Sequence, residues 1–193
     1  MLKINEKIAP FETSAFVNGK EKRLKFPSDF KGKWLAFVFY PADFTFICPT
    51  ELEDLAHHHS AFKKEGAEIF SVSTDTVFVH KAWHEHSKAI SKVEYPMLAD
   101  PTGKICRMFG TYIDDLEDED AGLSLRGSFI VDPDGILKTI EIHANGIGRS
   151  AAELLRKLQA AKFVREHKGQ VCPANWRPGE KTLKPGMDLV GKI

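Results

Sequence analysis

Residues 34–56 read WLAFVFYPADFTFICPTELEDLA. Trp34 to Tyr40 is apolar at every position, the pattern of a strand buried on both faces. From Thr50 the spacing turns helical, because Leu52, Leu55, Ala56 and Phe62 share one face. Glu51, Glu53 and Asp54 occupy the first turns, where the helix dipole favours acids. The stretch therefore predicts strand, turn and helix in succession, the opening half of an α/β unit. At the boundary stands a lone cysteine, Cys48, followed by Pro49, which suits an early helical position because its missing N–H would be unpaired there anyway.

The same reading extends outward in both directions. FETSAFVNGKEKRLKF carries two short alternating runs around Asn18-Gly19, a strong hairpin signal. AEIFSVS (67–73) predicts a second buried strand, and VFVHKAWHEHSKAI a helix after Asp75. RGSFIVDPDGILKTIEI (126–142) predicts two strands hinged at Asp132-Pro133-Asp134-Gly135. SAAELLRKLQAAKFVREH (150–167) opens on a Ser150–Glu153 capping box and continues at helical spacing. After Gly169 the chain is rich in Pro, Gly and Lys and loses periodicity, which predicts an arm lying on a surface. The expected class is α/β: a central mixed β-sheet flanked by helices, an N-terminal β-hairpin and a C-terminal arm. The expected division is a main domain over 1–165 and an arm over 166–193.

At 193 residues and 42% hydrophobic, one sizeable core is the default. Lys+Arg and Asp+Glu both number 27, and no basic stripe points to nucleic acid. No apolar run approaches the roughly 18 residues of a membrane span, and no charged segment followed by an apolar core opens the chain. The expectation is a soluble, cytoplasmic protein without a nucleic-acid or membrane partner. Cys48, Cys106 and Cys172 are an odd, widely spaced set, neither a secreted disulfide framework nor a zinc pattern.

A thiolate, not a thiol, is the nucleophile, and a free cysteine titrating near roughly 8.5 is mostly protonated at neutral pH. Unpaired N–H groups and the macrodipole at a helix start favour an anion, and Cys48 is placed to feel both. The rival reading is a small buried hydrophobe. The run Cys48-Pro49-Thr50-Glu51 has no second cysteine three residues on, so any second thiol comes from far along the chain or from another chain. Cys172 in GQVCPANW is the candidate.

Pro41, Thr45 and Cys48 in YPADFTFICPTE resemble the Pro-x-x-x-Thr-x-x-Cys signature of peroxiredoxins, and the text around Cys172 is similar to their resolving site. The likeness continues through SVSTDT, HKAW, DPTG, FIVDP, GIGR and the terminal LVGKI, nearly the whole chain. It resembles the typical two-cysteine peroxiredoxins of bacterial alkyl hydroperoxide reductase systems. The resemblance implies a thioredoxin-like fold and a thiol peroxidase acting on hydrogen peroxide and organic hydroperoxides, with no metal or other bound cofactor. It implies Cys48 as the peroxidatic cysteine and Cys172 of the partner subunit as the resolving one. Thr45 would donate to sulfur or peroxide, Arg126 would favour the thiolate and hold the peroxide, Pro41 would shield the pocket, and Glu51 would orient the arginine. A homodimer, a ring of five dimers and recycling by an NADH-dependent flavoprotein disulfide reductase or thioredoxin are further implications.

Some features lie outside that pattern. Cys106 reads as a partly buried helix residue. His57-His58-His59 reads as a solvated helix face, since consecutive helical residues point in different directions. DDLEDED (114–120), six acids in seven residues, reads as a solvated loop. Phe37, Phe39, Phe44, Phe46 and Met97 read as core or pocket wall, and Trp83 as pocket lining or interface. A holdase chaperone and a protein disulfide oxidoreductase are the rival functions, the latter disfavoured by the missing Cys-x-x-Cys. The chain has DAGLS where easily inactivated relatives carry Gly-Gly-Leu-Gly, and ends without their helical extension, which resembles the robust bacterial type. Sulfinic acid at Cys48 is therefore expected to remain a minor product after repeated turnover. Mass spectrometry checks this, and extensive sulfinylation at low peroxide would refute it.

Overall fold

The computed structural model describes residues 2–192; Ile193, the last residue of the LVGKI ending, lies outside them. Seven strands form one mixed sheet: β1 (Phe11–Val17), β2 (Lys20–Phe26), β3 (Trp34–Phe39), β4 (Ala67–Ser73), β5 (Met97–Ala99), β6 (Arg126–Val131) and β7 (Leu137–His143). Their order is β2-β1-β5-β4-β3-β6-β7. The central trio β3, β4 and β5 is parallel, and antiparallel pairs complete both edges. Parallel strands need long crossovers. Helices α1 (Cys48–Lys64) and α2 (Val77–His86) supply them.

The expected hairpin turns at Asn18 (φ 51°) and Gly19 (φ 74°), two left-handed residues that suit the twist of the flanking strands. All six residues of β3 are buried, as a strand covered on both faces must be. Leu35, Phe37 and Phe39 share one face and join Phe70, Val72, Leu98 and Phe129 in the main core. Helix α3 (Lys104–Phe109) closes that face through Ile105, Cys106 and Phe109. On the opposite face, the Phe16 ring meets His84 of α2 edge-on, and α1 packs along β4.

One strand has no counterpart in the sequence reading, and one helix was marked there only through Cys106. β5 is three residues long, too short to show a period. α3 is six residues bracketed by left-handed Gly103 (φ 67°) and Gly110 (φ 78°). Helix α2 stops at His86 rather than running to Ile90, because Ser87 turns extended and its hydroxyl accepts from the Ile90 amide, starting a separate 3-10 turn. Cys106 is fully buried rather than partly so. His57 is exposed, but His59 turns inward and packs edge-on against Tyr95, so the three histidines are not one solvated face.

The chain clusters into two compact units, Met1–Ala151 and Ala152–Ile193. The 165/166 boundary drawn from composition thus falls inside the second unit, because the tail folds back on its own helix, α4 (Ala151–Glu166). Within that unit Phe163 packs on Trp176, Trp176 is buried, and a bridge pairs Val171 with Leu183. None of the described helices is long and apolar enough to cross a membrane.

Gly127 sits in β6 where a Cβ would lie 2.5 Å from Thr111 Cγ2 and 2.7 Å from the Phe129 ring. Both neighbours are fully buried and have no room to withdraw. Gly127→Ala is expected to destabilise the protein by about 1–3 kcal/mol. Urea unfolding measures it, and an unchanged midpoint would contradict this packing.

Candidate active site

Cys48 is the first residue of α1 and is fully buried. Pro49 follows in the first turn, and no side chain caps the helix start. The amides of Thr50 and Glu51 donate to the Ile47 carbonyl at 3.0 and 3.3 Å, which closes that turn over Cys48. Arg126, first residue of β6, reaches back and donates from Nη1 to Cys48 Sγ at 3.3 Å.

The same Nη1 donates to Glu51 Oε2 at 2.8 Å. Glu51 also receives a second guanidinium that sequence reasoning missed. Arg149 donates from Nε to Oε1 at 2.9 Å and from Nη2 to Oε2 at 3.0 Å, a two-pronged pair, and its own amide adds a bond at 2.7 Å. Its remaining arm ties it to β6 through the Gly127 carbonyl and the Ser128 hydroxyl. The signal was present in GIGR, but its place in the site depends on the chain folding back from β7. The Arg126, Arg149 and Glu51 side chains are 4%, 6% and 4% exposed. Among the described residues no other carboxylate pairs with either guanidinium, so two buried cations face one anion.

Burial alone would raise the Glu51 carboxyl, but the hydrogen bonds and charge of Arg149, with the charge of Arg126, outweigh it and hold it below its usual range. An acid whose folded value is depressed adds stability above its unfolded value and loses it as pH falls through the folded one.

Cys48 opens onto a cavity of about 310 Å³ lined by Pro41, Thr45, Phe46, Ile47 and Leu123 together with Arg126, Asp120 and Asn145. Pro41 is buried in its wall. Thr45 is not one helical turn before Cys48: it lies in an irregular turn, and its hydroxyl donates to the Ala42 carbonyl at 2.8 Å rather than to sulfur. Phe44 and Phe46 are not core, being 56% and 92% exposed. Phe44 is left-handed (φ 56°), a strained conformation for an aromatic residue.

A buried polar cluster pins this turn. Asp43 accepts from the Tyr40 hydroxyl at 2.6 Å and meets His80 Nδ1 at 2.7 Å, while its amide donates to Asp75. Burial and the nearby Asp43 charge raise Asp75. Trp83 is neither pocket lining nor exposed interface; it is buried against Tyr40 and Phe44 and supports the turn from below. The other thiols are free. Burial, then Asp100, pushes the Cys106 thiol well up, and no solvent reaches it for modification. Cys172, half-buried in the second unit, has its thiol raised by burial. No group of histidines, cysteines and acids suited to a metal ion occurs among the described residues.

A sequence model of the AhpC/TSA family matches residues 4–140, and one of the C-terminal domain of 1-Cys peroxiredoxin matches 160–190. The chain is 52% identical over 190 residues to alkyl hydroperoxide reductase C of Amphibacillus xylanus, covering 98% of each chain. The crystal structure of Enterococcus faecalis AhpC is similar with a TM-score of 0.83 at 47% identity, over 90% of this chain and 100% of that one. Reduced 2-Cys peroxiredoxin of Plasmodium vivax is similar with a TM-score of 0.87 at 29% identity, over 96% and 94% of the two chains.

Glu51→Ala leaves two buried guanidiniums without their anion and is expected to cost about 3–5 kcal/mol. Glu51→Gln keeps the shape and removes the charge. In wild type, the Glu51 contribution should be full above the ordinary carboxylate range and fade as pH falls below it, a fade missing from Glu51→Gln. Denaturant titrations across pH measure both, and identical acid limbs would remove this role.

Proposed function

The chain belongs to the AhpC/TSA family of peroxiredoxins, with the thioredoxin-like fold of its relatives, and on that premise we propose how its own residues carry out thiol peroxidase chemistry. The observation that carries the reading is the 3.3 Å contact from Arg126 to the sulfur of a helix-start cysteine, at the floor of a cavity. Hydrogen peroxide or an organic hydroperoxide enters past Pro41 and Phe46. The Cys48 thiolate attacks one peroxide oxygen; the S–O bond forms as the O–O bond breaks. Water or an alcohol leaves after taking up a proton, and Cys48 becomes a sulfenic acid, oxidised by two electrons. Negative charge spreads from sulfur to the departing oxygen, and fixed guanidinium donors stabilise it without reorganising. Thr45 contributes its hydroxyl once that group leaves the Ala42 carbonyl.

The Cys172 thiol of the partner subunit then attacks the sulfenic sulfur, releasing water and closing an intersubunit disulfide. Two electrons from a separate disulfide reductase, a flavoprotein of the alkyl hydroperoxide reductase system or thioredoxin, reopen it. A homodimer is supported by β7, an edge strand with an unpaired side. Assembly of dimers into a decamer is supported by exposed Phe44 in its turn and exposed Phe78 in the first turn of α2, the segments just before them being joined through Asp43 and Asp75. Free thiols suit the cytoplasm.

Stopped-flow mixing of reduced protein with hydrogen peroxide tests the assignment. Cys48→Ser should abolish fast consumption. Cys172→Ser should keep the first turnover, and neither variant should yield a disulfide-linked dimer on non-reducing gels. Fast consumption that survives Cys48→Ser would overturn the reading, and aggregation protection independent of Cys48 would then favour a chaperone.

A further inference from the structure

Six acids crowd residues 114–120, and all but the last are exposed. Asp120 alone turns in, to the wall of the Cys48 cavity. There Asp120 Oδ2 accepts from Asn145 Nδ2 at 2.6 Å. The backbone carbonyl of the same Asn145 accepts from Arg126 Nε at 2.8 Å. Arg126 is thus gripped at two points, by Glu51 at Nη1 and by Asn145 at Nε.

The Asn145 grip has no sheet to support it. β7 ends at His143, directly opposite Arg126, and the chain then turns through 144–147, closed by the Ile147 amide on the Ala144 carbonyl. The Asn145 side-chain oxygen is buried without a partner, so its bond to Asp120 alone orients the amide. The Asp120 side is firm: the Leu123 amide returns to the Asp120 carbonyl, and Gly122 and Ile113 bond across the loop.

We infer that Asp120 is a positioning residue of the Cys48 reaction, acting through Asn145 to hold the carbonyl that aims Arg126 at the sulfur. The inference rests on Cys48 being the reacting thiol. It runs against the bare electrostatics of the site. A carboxylate lining the pocket of a thiolate disfavours that thiolate, so as a charge alone Asp120 would slow the reaction and its removal would speed it. As a latch, its removal slows the reaction, because a guanidinium misplaced by even about 1 Å forfeits much of its effect.

The test is stopped-flow reaction of full-length reduced protein with hydrogen peroxide, using D120A, D120N, N145A and D120A/N145A. D120A and N145A should each slow the reaction about ten- to a hundredfold. The double variant should be no slower than either single one, since both cut the same connection. D120N, whose side-chain carbonyl still accepts from Asn145, should recover most of the loss. N145A leaves the Asp120 charge in place, so its rate-against-pH curve should move to higher pH, a shift that lost stability alone would not produce. D120A and D120N reacting alike, as fast as wild type or faster, would overturn the inference, as would additive losses or an unmoved N145A profile. If D120A does not fold, N145A and D120N still decide. Consumption surviving Cys48→Ser is the separate signature that the underlying site reading has failed.

Discussion

The structure around the reactive sulfur depends on one electrostatic constraint: two guanidiniums, nearly stripped of water, share a single carboxylate. Burying charge is costly unless it is paired and hydrogen-bonded, and Glu51 has only two oxygens with which to meet Arg126, Arg149 and the Arg149 amide. The surplus positive charge lies next to Cys48 Sγ. In the proposed reaction a negative sulfur relieves it, and so does negative charge moving onto a peroxide oxygen. The ion-pair cluster therefore connects fold and chemistry: it joins α1 to β6 and to the segment after β7, and the same bonds create a place for an anion.

Around that cluster the chain is held by unequal means. The approach to Cys48 contains a left-handed Phe44 and an exposed Phe46, and it is kept in place by the buried Asp43, Tyr40 and His80 cluster with Trp83 beneath. The core side of the turn is thus fastened by buried hydrogen bonds, while Phe46 at its outer side stands 92% exposed. That division suits the role proposed for Cys48, presented in a folded helix start and later released to meet a second thiol. Cys106, by contrast, is sealed among Phe109 and the sheet core, where burial keeps its thiol protonated. Position in the fold, not residue type, separates the two buried cysteines.

Much of this was legible in the sequence, for identifiable reasons. The unbroken apolar run of β3, the Asn18-Gly19 turn and the helical spacing after Cys48 are local signals, each set by a few neighbouring residues. The peroxiredoxin likeness of Pro41, Thr45, Cys48 and Arg126 was legible because those positions sit in short, dense motifs. β5 was not, and α3 was marked only through the helical reading of Cys106, because both are too short for a period to emerge. The boundary at 165/166 followed composition, whereas the second unit is built by the tail packing on α4 through Phe163 and Trp176.

The sequence by itself determined which residues could do chemistry: a cysteine at a helix start, an acid one turn on and an arginine opening a predicted strand. Only the tertiary structure decided which of them meet. It brought Arg149 to Glu51 across 98 residues, turned the Thr45 hydroxyl toward Ala42, drew Asp120 out of an acidic run and sent His59 and Trp83 inward. The physical reason is range. Helix and strand preferences arise from contacts within a few residues, while a buried charge finds its partners wherever packing places them, and no local pattern records that choice.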